Sequence, residues 1–400
     1  MYSLEYIEVK MKVSRRKFIW TLGGGGIVVA ASTVGLSRCD QMPAVAVAPW
    51  TNPGSGETDP RRWALAHALL APNPHNIQPW IADLRVPEEI TLWVDPNRLL
   101  PETDPNGRQI LIGHGTFIEL LDLAARERGY RLNIDLFPNG EAPEDALAAE
   151  VPQYPVARIR FEEDASVQKD PLFQQVFTRR SIKEPYDMER PLESGHERAL
   201  RETRLPGGSS FELADQNPLA DRLRDLTSQA VLTELETPRT LKESFDLTRV
   251  GASEIARHRD GIDLHGPMFW WLKHLGLFTP EDAMTPGTIS YQGGVDYALG
   301  WASGTRAFGW ISTASNSRAD QVLAGRDYVR LNLAATAAGV AMHPVSQLLQ
   351  EYAEMTGLQS DFIEAVQPPE GSTVQMLCRL GYADRVPPSP RRGLDSLVRT

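Results

Sequence analysis

The chain alternates between strongly apolar segments and long polar ones. Apolar residues at helical spacing predict helices over Arg61–Leu70, Gly115–Arg128 and Leu323–Ala338, the last two apolar enough to be buried. Short apolar or alternating runs at Ile90–Val94, Ala157–Phe161, Arg306–Thr313 and Val374–Leu380 predict strands. Pro171–Arg180 reads as helix, and Leu192–Gly266 as mostly polar amphipathic helix. Ala71-Pro72-Asn73-Pro74 halts the first helix, and residues 49–60 read as a linker by their Pro, Gly and Ser content. A second linker, rich in Pro, Glu and Ala, spans Pro138–Tyr154, and Thr285–Gly309 is rich in glycine.

One pattern occurs twice. Thr103–Gly129 aligns without gaps on Thr313–Gly339, an offset of 210, with nine of 27 positions identical. Asn106/Asn316, Arg108/Arg318 and Gly115/Gly325 match, and Leu121-Asp122-Leu123-Ala124-Ala125 matches Leu331-Asn332-Leu333-Ala334-Ala335. Either two buried helices use the same residues, or a unit of strand, turn and core helix is duplicated. Duplication predicts two related halves that mimic a symmetric dimer within one chain, with glycine and alanine letting two helix backbones approach.

The start of the chain changes the picture of where it works. Arg15-Arg16 precedes an uncharged stretch from Phe18 to Ser37, then small residues at Ala44-Val45-Ala46. Basic start, apolar middle and small-residue cleavage site make a secretory signal, here of the twin-arginine kind that is read by export machinery. Gly23 to Gly26 weaken the stretch as a permanent membrane span, and their place in the signal excludes a nucleotide loop, which follows a strand. Glu5 and Glu8 make Met11 a candidate start. The signal segment is expected over residues 1–48, with the protein periplasmic and exported folded, or membrane-tethered where the signal is kept.

Residues 49–400 carry 35 basic and 49 acidic side chains, a formal charge of −14, which disfavours nucleic acid and anionic lipid as partners. Cys39 lies in the signal, where Arg38 fits lipidation poorly, so Cys378 is the one thiol beyond it and no internal disulfide is expected. The histidines show no metal-ligand spacing.

Three clusters carry candidate chemistry. In Ala71-Pro72-Asn73-Pro74-His75-Asn76-Ile77-Gln78-Pro79-Trp80 prolines fix the backbone while Asn73, Asn76 and Gln78 offer amides beside an aromatic ring. Thr178-Arg179-Arg180-Ser181-Ile182-Lys183 gathers guanidinium forks, a hydroxyl and an ammonium into an anion site. Arg391 and Arg392 form a further arginine pair in the Pro-rich tail. Taken singly, the first reads equally as a turn and the others as solvated faces.

Together they resemble the nitroreductase superfamily of FMN-dependent flavoproteins. Pro72–Trp80 looks like the family's Pro-Ser-x-x-Asn-x-Gln-Pro-Trp segment, and Arg179-Arg180-Ser181-Ile182-Lys183 looks like its phosphate-gripping Arg-x-Ser-x-Lys. The order is reversed from ordinary members, as in the Acg-type FMN-binding proteins, and fits two halves standing in for two subunits. The resemblance implies an α+β fold of mixed, mainly antiparallel sheets around a central helix pair. The first half would cover 49–150 and the second 151–400, with a helical lid insertion at about 200–300.

By the same resemblance Arg179, Ser181 and Lys183, beside Arg180, would grip the FMN phosphate, with Arg391 or Arg392 completing the grip. Pro72, Asn73, Pro74, Asn76 and Gln78 would flank the isoalloxazine. Asn73 and Pro74 depart from the family's Ser. His75 would be polar lining, and Trp270, Trp271 and Trp301 could cover the flavin or simply pack in the core. The chemistry would be the flavin's, so no protein acid, base or metal is expected. One FMN per chain follows, because the second half lacks an Asn-x-Gln-Pro-Trp. The implied activity is two-electron reduction of a nitro compound, quinone or similar small acceptor by a monomer acting as a pseudo-dimer. The alternative is a flavin-storing protein with little turnover.

Overall fold

The computed structural model describes residues 40–276 and 278–399. The twin-arginine segment, Met11 and Cys39 lie outside the described residues.

Two sheets of the same design flank a pair of helices. After α1 (Ala44–Val47) and α2 (Pro60–Ala68), β1 (Trp80–Asp83) and β2 (Glu89–Val94) make a hairpin. The chain then runs through α3 (Arg108–Glu127), β3 (Tyr130–Leu136) and β4 (Ala157–Glu163). The second half repeats this with α4 (Ser194–Arg201), β5 (Ser210–Asp215), a long insertion, β8 (Ala307–Thr313), α11 (Arg318–Ala337), β9 (Ala341–Pro344), α12 (Thr356–Val366) and β10 (Thr373–Gly381). The first sheet reads β1-β2-β4-β3 and the second β5-β8-β10-β9, the same order with antiparallel neighbours throughout. The expected pair of related halves is therefore visible in topology as well as sequence.

The helix pair explains the shared residues. A Cβ on Gly115 would stand 1.9 Å from the Val322 carbonyl oxygen, and one on Gly325 would stand 1.9 Å from that of Ile112. Both contacts carry the 210-residue offset, so the crossing is symmetric and only glycine lets the backbones touch. Arg108 and Arg318, each the first residue of its helix, are buried and reach into the opposite half. Arg108 donates to the carbonyls of Leu349 and Gln375, and Arg318 to those of Asn106 at 2.8 Å and Pro143 at 2.8 Å. α11 is buried around most of its girth because it serves two cores. Val322, Val329 and Leu333 join the first-half core, while Ala324, Tyr328, Leu331 and Ala335 join that of the second.

Several expectations need correction. The first sheet takes in Ala157–Glu163 and, parallel to β1 at its edge, β11 (Val398–Arg399), so neither the boundary at 150 nor the second half 151–400 follows the sheets. Pro138–Tyr154 does not separate the halves: Ala142, Ala146 and Ala148 are buried in it, and its carbonyls receive Arg318. Asp40–Ala48, placed in the signal, is packed, with Ala46 fully buried. Pro171–Phe177 is 3-10 helix rather than α-helix running to Arg180.

The insertion, residues 216–306, replaces the tight turn between β1 and β2. It holds α5 (Pro218–Glu236), α6 (Pro238–Asp246), β6 (Thr248–Val250), α7 (Ala252–His258), β7 (Ile262–Leu264), α8 (Pro267–His274), α9 (Pro280–Met284) and α10 (Ile289–Ser303). The glycine-rich stretch forms α10, because the Thr288 side chain caps its start and Val295, Trp301 and Ala302 are buried.

Candidate functional site

The Pro72–Trp80 loop leaves α2 in a strained conformation. His75, Asn76 and Gln78 take φ of 46°, 54° and 52°, positive values that non-glycine residues adopt at a cost. The amides hold that shape. Asn73 Oδ1 accepts the Gln78 N–H at 2.8 Å, and Asn76 Nδ2 donates to the carbonyls of Gly261 at 3.2 Å and Pro390 at 3.1 Å. Gln78 Nε2 donates to Arg259 at 3.0 Å, while its Oε1 accepts the Arg392 N–H at 2.8 Å. These side chains stitch the loop to the insertion and the tail. Pro74 and Asn73 lie against Gly113 of α3, whose absent side chain makes room for them.

Beside the loop stands a group of cations. Arg179 Nη2 at 3.1 Å and Arg391 Nη2 at 3.2 Å both donate to the Leu70 carbonyl, and Arg179 Nη1 reaches Asn332 Oδ1 at 3.2 Å. Arg391 also donates to Asn76 Oδ1 at 2.7 Å, Ser389 Oγ at 2.7 Å and the Ala71 carbonyl at 3.2 Å. Arg180 holds the Phe177 and Arg179 carbonyls. The Nε atoms of Arg179, Arg180 and Arg391 are buried without a hydrogen-bond partner, as is Nδ1 of His75.

Among the described residues, none of Arg179, Arg180, Lys183 and Arg391 forms an ion pair. Burial brings Arg179 down to about 10, with Arg180 adding like charge. It also lowers Arg391 well below its usual range, where Arg179 and Arg180 repel it further. Lys183 keeps accessible surface, yet surrounding protein desolvates its ammonium and lowers its pKa. Asp263 of the insertion attracts both Lys183 and Arg391 from beyond ion-pair distance. Burial, then the Lys183 charge, holds His75 at about 4, so it is neutral near pH 7.

The structure thus brings Pro72, Asn73, Pro74, His75, Asn76 and Gln78 beside Arg179, Arg180 and Arg391. Ser181 is half-buried near Tyr328. Arg392 ties the loop to the tail, donating to Gln78 O at 3.2 Å and Ser396 O at 2.7 Å. Trp301 is core: it is buried, its ring lies 4.8 Å from the Arg379 guanidinium, and its carbonyl receives Arg379. Trp270 and Trp271 sit on α8, where no side chain is buried.

Sequence reasoning missed Asn332 and Trp50. The repeat did hold a signal for the first, since Asn332 stands where the other copy has Asp122. The second lay in a stretch read as linker.

No family model matches the chain. It is similar along most of its length to proteins of Mycobacterium tuberculosis. One, provisionally named an NAD(P)H nitroreductase, is 27% identical over 347 residues, covering 84% of this chain and 90% of that one. A second with the same provisional designation, acg, is 25% identical over 365 residues, covering 85% and 95%. Among solved structures, the FMN-dependent nitroreductase NfnB of Mycobacterium smegmatis in complex with NADPH overlaps 57% of this chain and 96% of its own, at 16% identity and a TM-score of 0.35. A nitroreductase with bound FMN from Desulfitobacterium hafniense overlaps 58% and 100%, at 12% identity and a TM-score of 0.37.

Proposed function

We propose that the chain is an FMN-binding oxidoreductase of nitroreductase type that reduces a small nitro, quinone or similar acceptor by two electrons outside the cytoplasm. The observation that carries the reading is the cluster of Arg179, Arg180 and Arg391, desolvated and, among the described residues, without a carboxylate in ion-pair contact, with Lys183 exposed near His75 of the adjoining loop. Buried like charges are costly unless an anion joins them. A phosphate monoester brings nearly two negative charges and three acceptor oxygens, a match for three orphaned guanidinium Nε atoms. The named mycobacterial relatives support the redox class.

When bound, FMN would supply hydride acceptance and donation. The protein's share is binding and orientation. Arg179, Arg180 and Arg391 would hold the phosphate end, and the exposed Lys183 would close on it from the solvent side. The strained loop would set a rigid wall of Pro72, Asn73 and Pro74 for the ring. Asn76 and Gln78 would act by holding that loop, since their amides are bonded to Arg391, Pro390, Arg392 and the insertion. His75, neutral near pH 7, would leave the cation charge of the pocket unchanged.

One observation favours flavin storage as a second reading. Arg259 and Gly261 of the insertion are bonded directly to Gln78 and Asn76, closing over the loop that a substrate would approach. Purified protein should be yellow with a flavin spectrum, and Arg179→Ala should lose the colour. Colourless protein without FMN affinity would refute both readings. Anaerobic photoreduction followed by mixing with a quinone or nitro compound separates them: rapid reoxidation marks the enzyme, inert reduced flavin the store. Export by the twin-arginine machinery is the matching proposal for location, because a site split between two halves exists only in the folded chain.

A further inference from the structure

The segment Asp40–Trp50 is bonded to the insertion and the tail and stacks on two of the candidate phosphate-binding arginines. Asp40 Oδ1 accepts the Ala252 N–H at 2.6 Å at the start of α7, and the Asp40 carbonyl accepts the Gly266 N–H at 2.9 Å just before α8. Ala46 is fully buried and its carbonyl accepts the Arg391 N–H at 2.8 Å. The Trp50 Nε1–H donates to Ser389 O at 2.9 Å, which fixes the indole in the tail. The indole then faces two cations, with Arg180 at 4.5 Å and Arg391 at 5.1 Å from the ring centroid. Those arginines repel one another, and their Nε atoms have no hydrogen-bond partner. An aromatic face is a surface that holds two guanidinium groups side by side without neutralising either. A carboxylate in the same place would cancel the charge that an anion needs.

We propose that Asp40–Trp50 is a wall of the anion pocket, with Trp50 as the positioning residue for Arg180 and Arg391, and that maturation leaves it attached. Any signal cleavage then falls at or before Asp40, and the small residues Ala44-Val45-Ala46 are structural rather than a processing site. Cutting after Ala46 would sever the carbonyl that holds Arg391 from the ring that stacks on it. The positioning role rests on the flavin reading of the site; the cleavage boundary does not.

The test has two arms. In the full chain, Trp50→Ala should weaken FMN binding on the order of tenfold for two lost cation–π contacts. Trp50→Phe, which keeps a ring face, should restore most of that affinity. Unchanged affinity in Trp50→Ala, or no rescue by Phe, would overturn the positioning role. In the second arm, intact mass of the exported chain should show an N-terminus at or before Asp40. A mature chain beginning after Asp40 would overturn the boundary. Should wild-type protein bind no flavin, the reading of the site fails, and the mass measurement still decides the boundary.

Discussion

The two ends of the central helix pair are made of matching parts and finish in opposite states. In the first-half loop, Arg179 and Arg391 reach the Leu70 carbonyl beyond α2, and the nearby helix residue is Asn332. At the other end Arg330 reaches the Arg204 carbonyl beyond α4 at 2.9 Å, and the residue matching Asn332 is Asp122. There the charges are paired. Glu119, almost fully buried, binds Arg326 at 2.7 Å and Arg330 at 2.9 Å, Asp170 binds Arg330 at 2.8 Å, and Asp122 binds Arg126 at 3.0 Å. The matching loop is short, Leu205–Ser209, and Asp327 accepts its Gly207 and Ser209 N–H groups at 2.7 and 3.0 Å. One end is closed by its own carboxylates. The other leaves its cations without ion pairs among the described residues, which fits one proposed flavin per chain.

Changes that exchange these states should have graded effects. The largest attacks the shared crossing. Gly325→Leu places side-chain atoms against the Ile112 carbonyl and should cost at least about 3 kcal/mol, seen as insoluble protein or a collapsed melting transition. Next, Glu119→Gln leaves Arg326 and Arg330 short of their counter-charge. It should destabilise by about 3 kcal/mol in denaturant titration, with FMN affinity unchanged.

Asn332→Asp carries the closed end's chemistry into the open one. A carboxylate within 3.2 Å of Arg179 should raise the melting temperature of flavin-free protein while weakening FMN binding on the order of tenfold. Opposite signs in the two measurements are the signature of a cation group waiting for an anion.

The smallest effect is acid sensitivity. Burial lowers the pKa of His67, His75, His114 and His343, to about 4 for His75 and His114. The unfolded chain takes those protons near 6.5, so it binds more protons than the folded one below that pH. Stability is therefore full above about 6.5 and falls as pH drops toward 4. Asp104, raised to about 6 by burial, and Glu234, also raised by burial, act the other way below about pH 6, two carboxyls against four imidazoles. Melting temperatures from pH 7 to 4.5 should decline.

The features legible in sequence were those written in local patterns. The helix pair showed as a repeat because Gly115 and Gly325 answer to the same steric demand. The loop and the arginine motif showed because proline, amide and guanidinium groups are dense there. What stayed hidden depends on distant pairing. β11 is two residues long and carries no periodicity, so its place beside β1 is set by the fold. Pro138–Tyr154 looked like a linker because backbone carbonyls, the groups that bind Arg318, leave no trace in residue type. The structural use of Asn76 and Gln78 was hidden for the same reason: their partners lie about 180 or more residues away.

The central claim is that unpaired Arg179, Arg180, Lys183 and Arg391 await a phosphate, and it is tested most directly by titrating flavin-stripped protein with FMN and with riboflavin in parallel. Two charge-assisted hydrogen bonds at about 1.5 kcal/mol each predict that FMN binds at least about a hundredfold more tightly than riboflavin, one per chain. Equal affinity for the two, or two FMN per chain, would contradict the account.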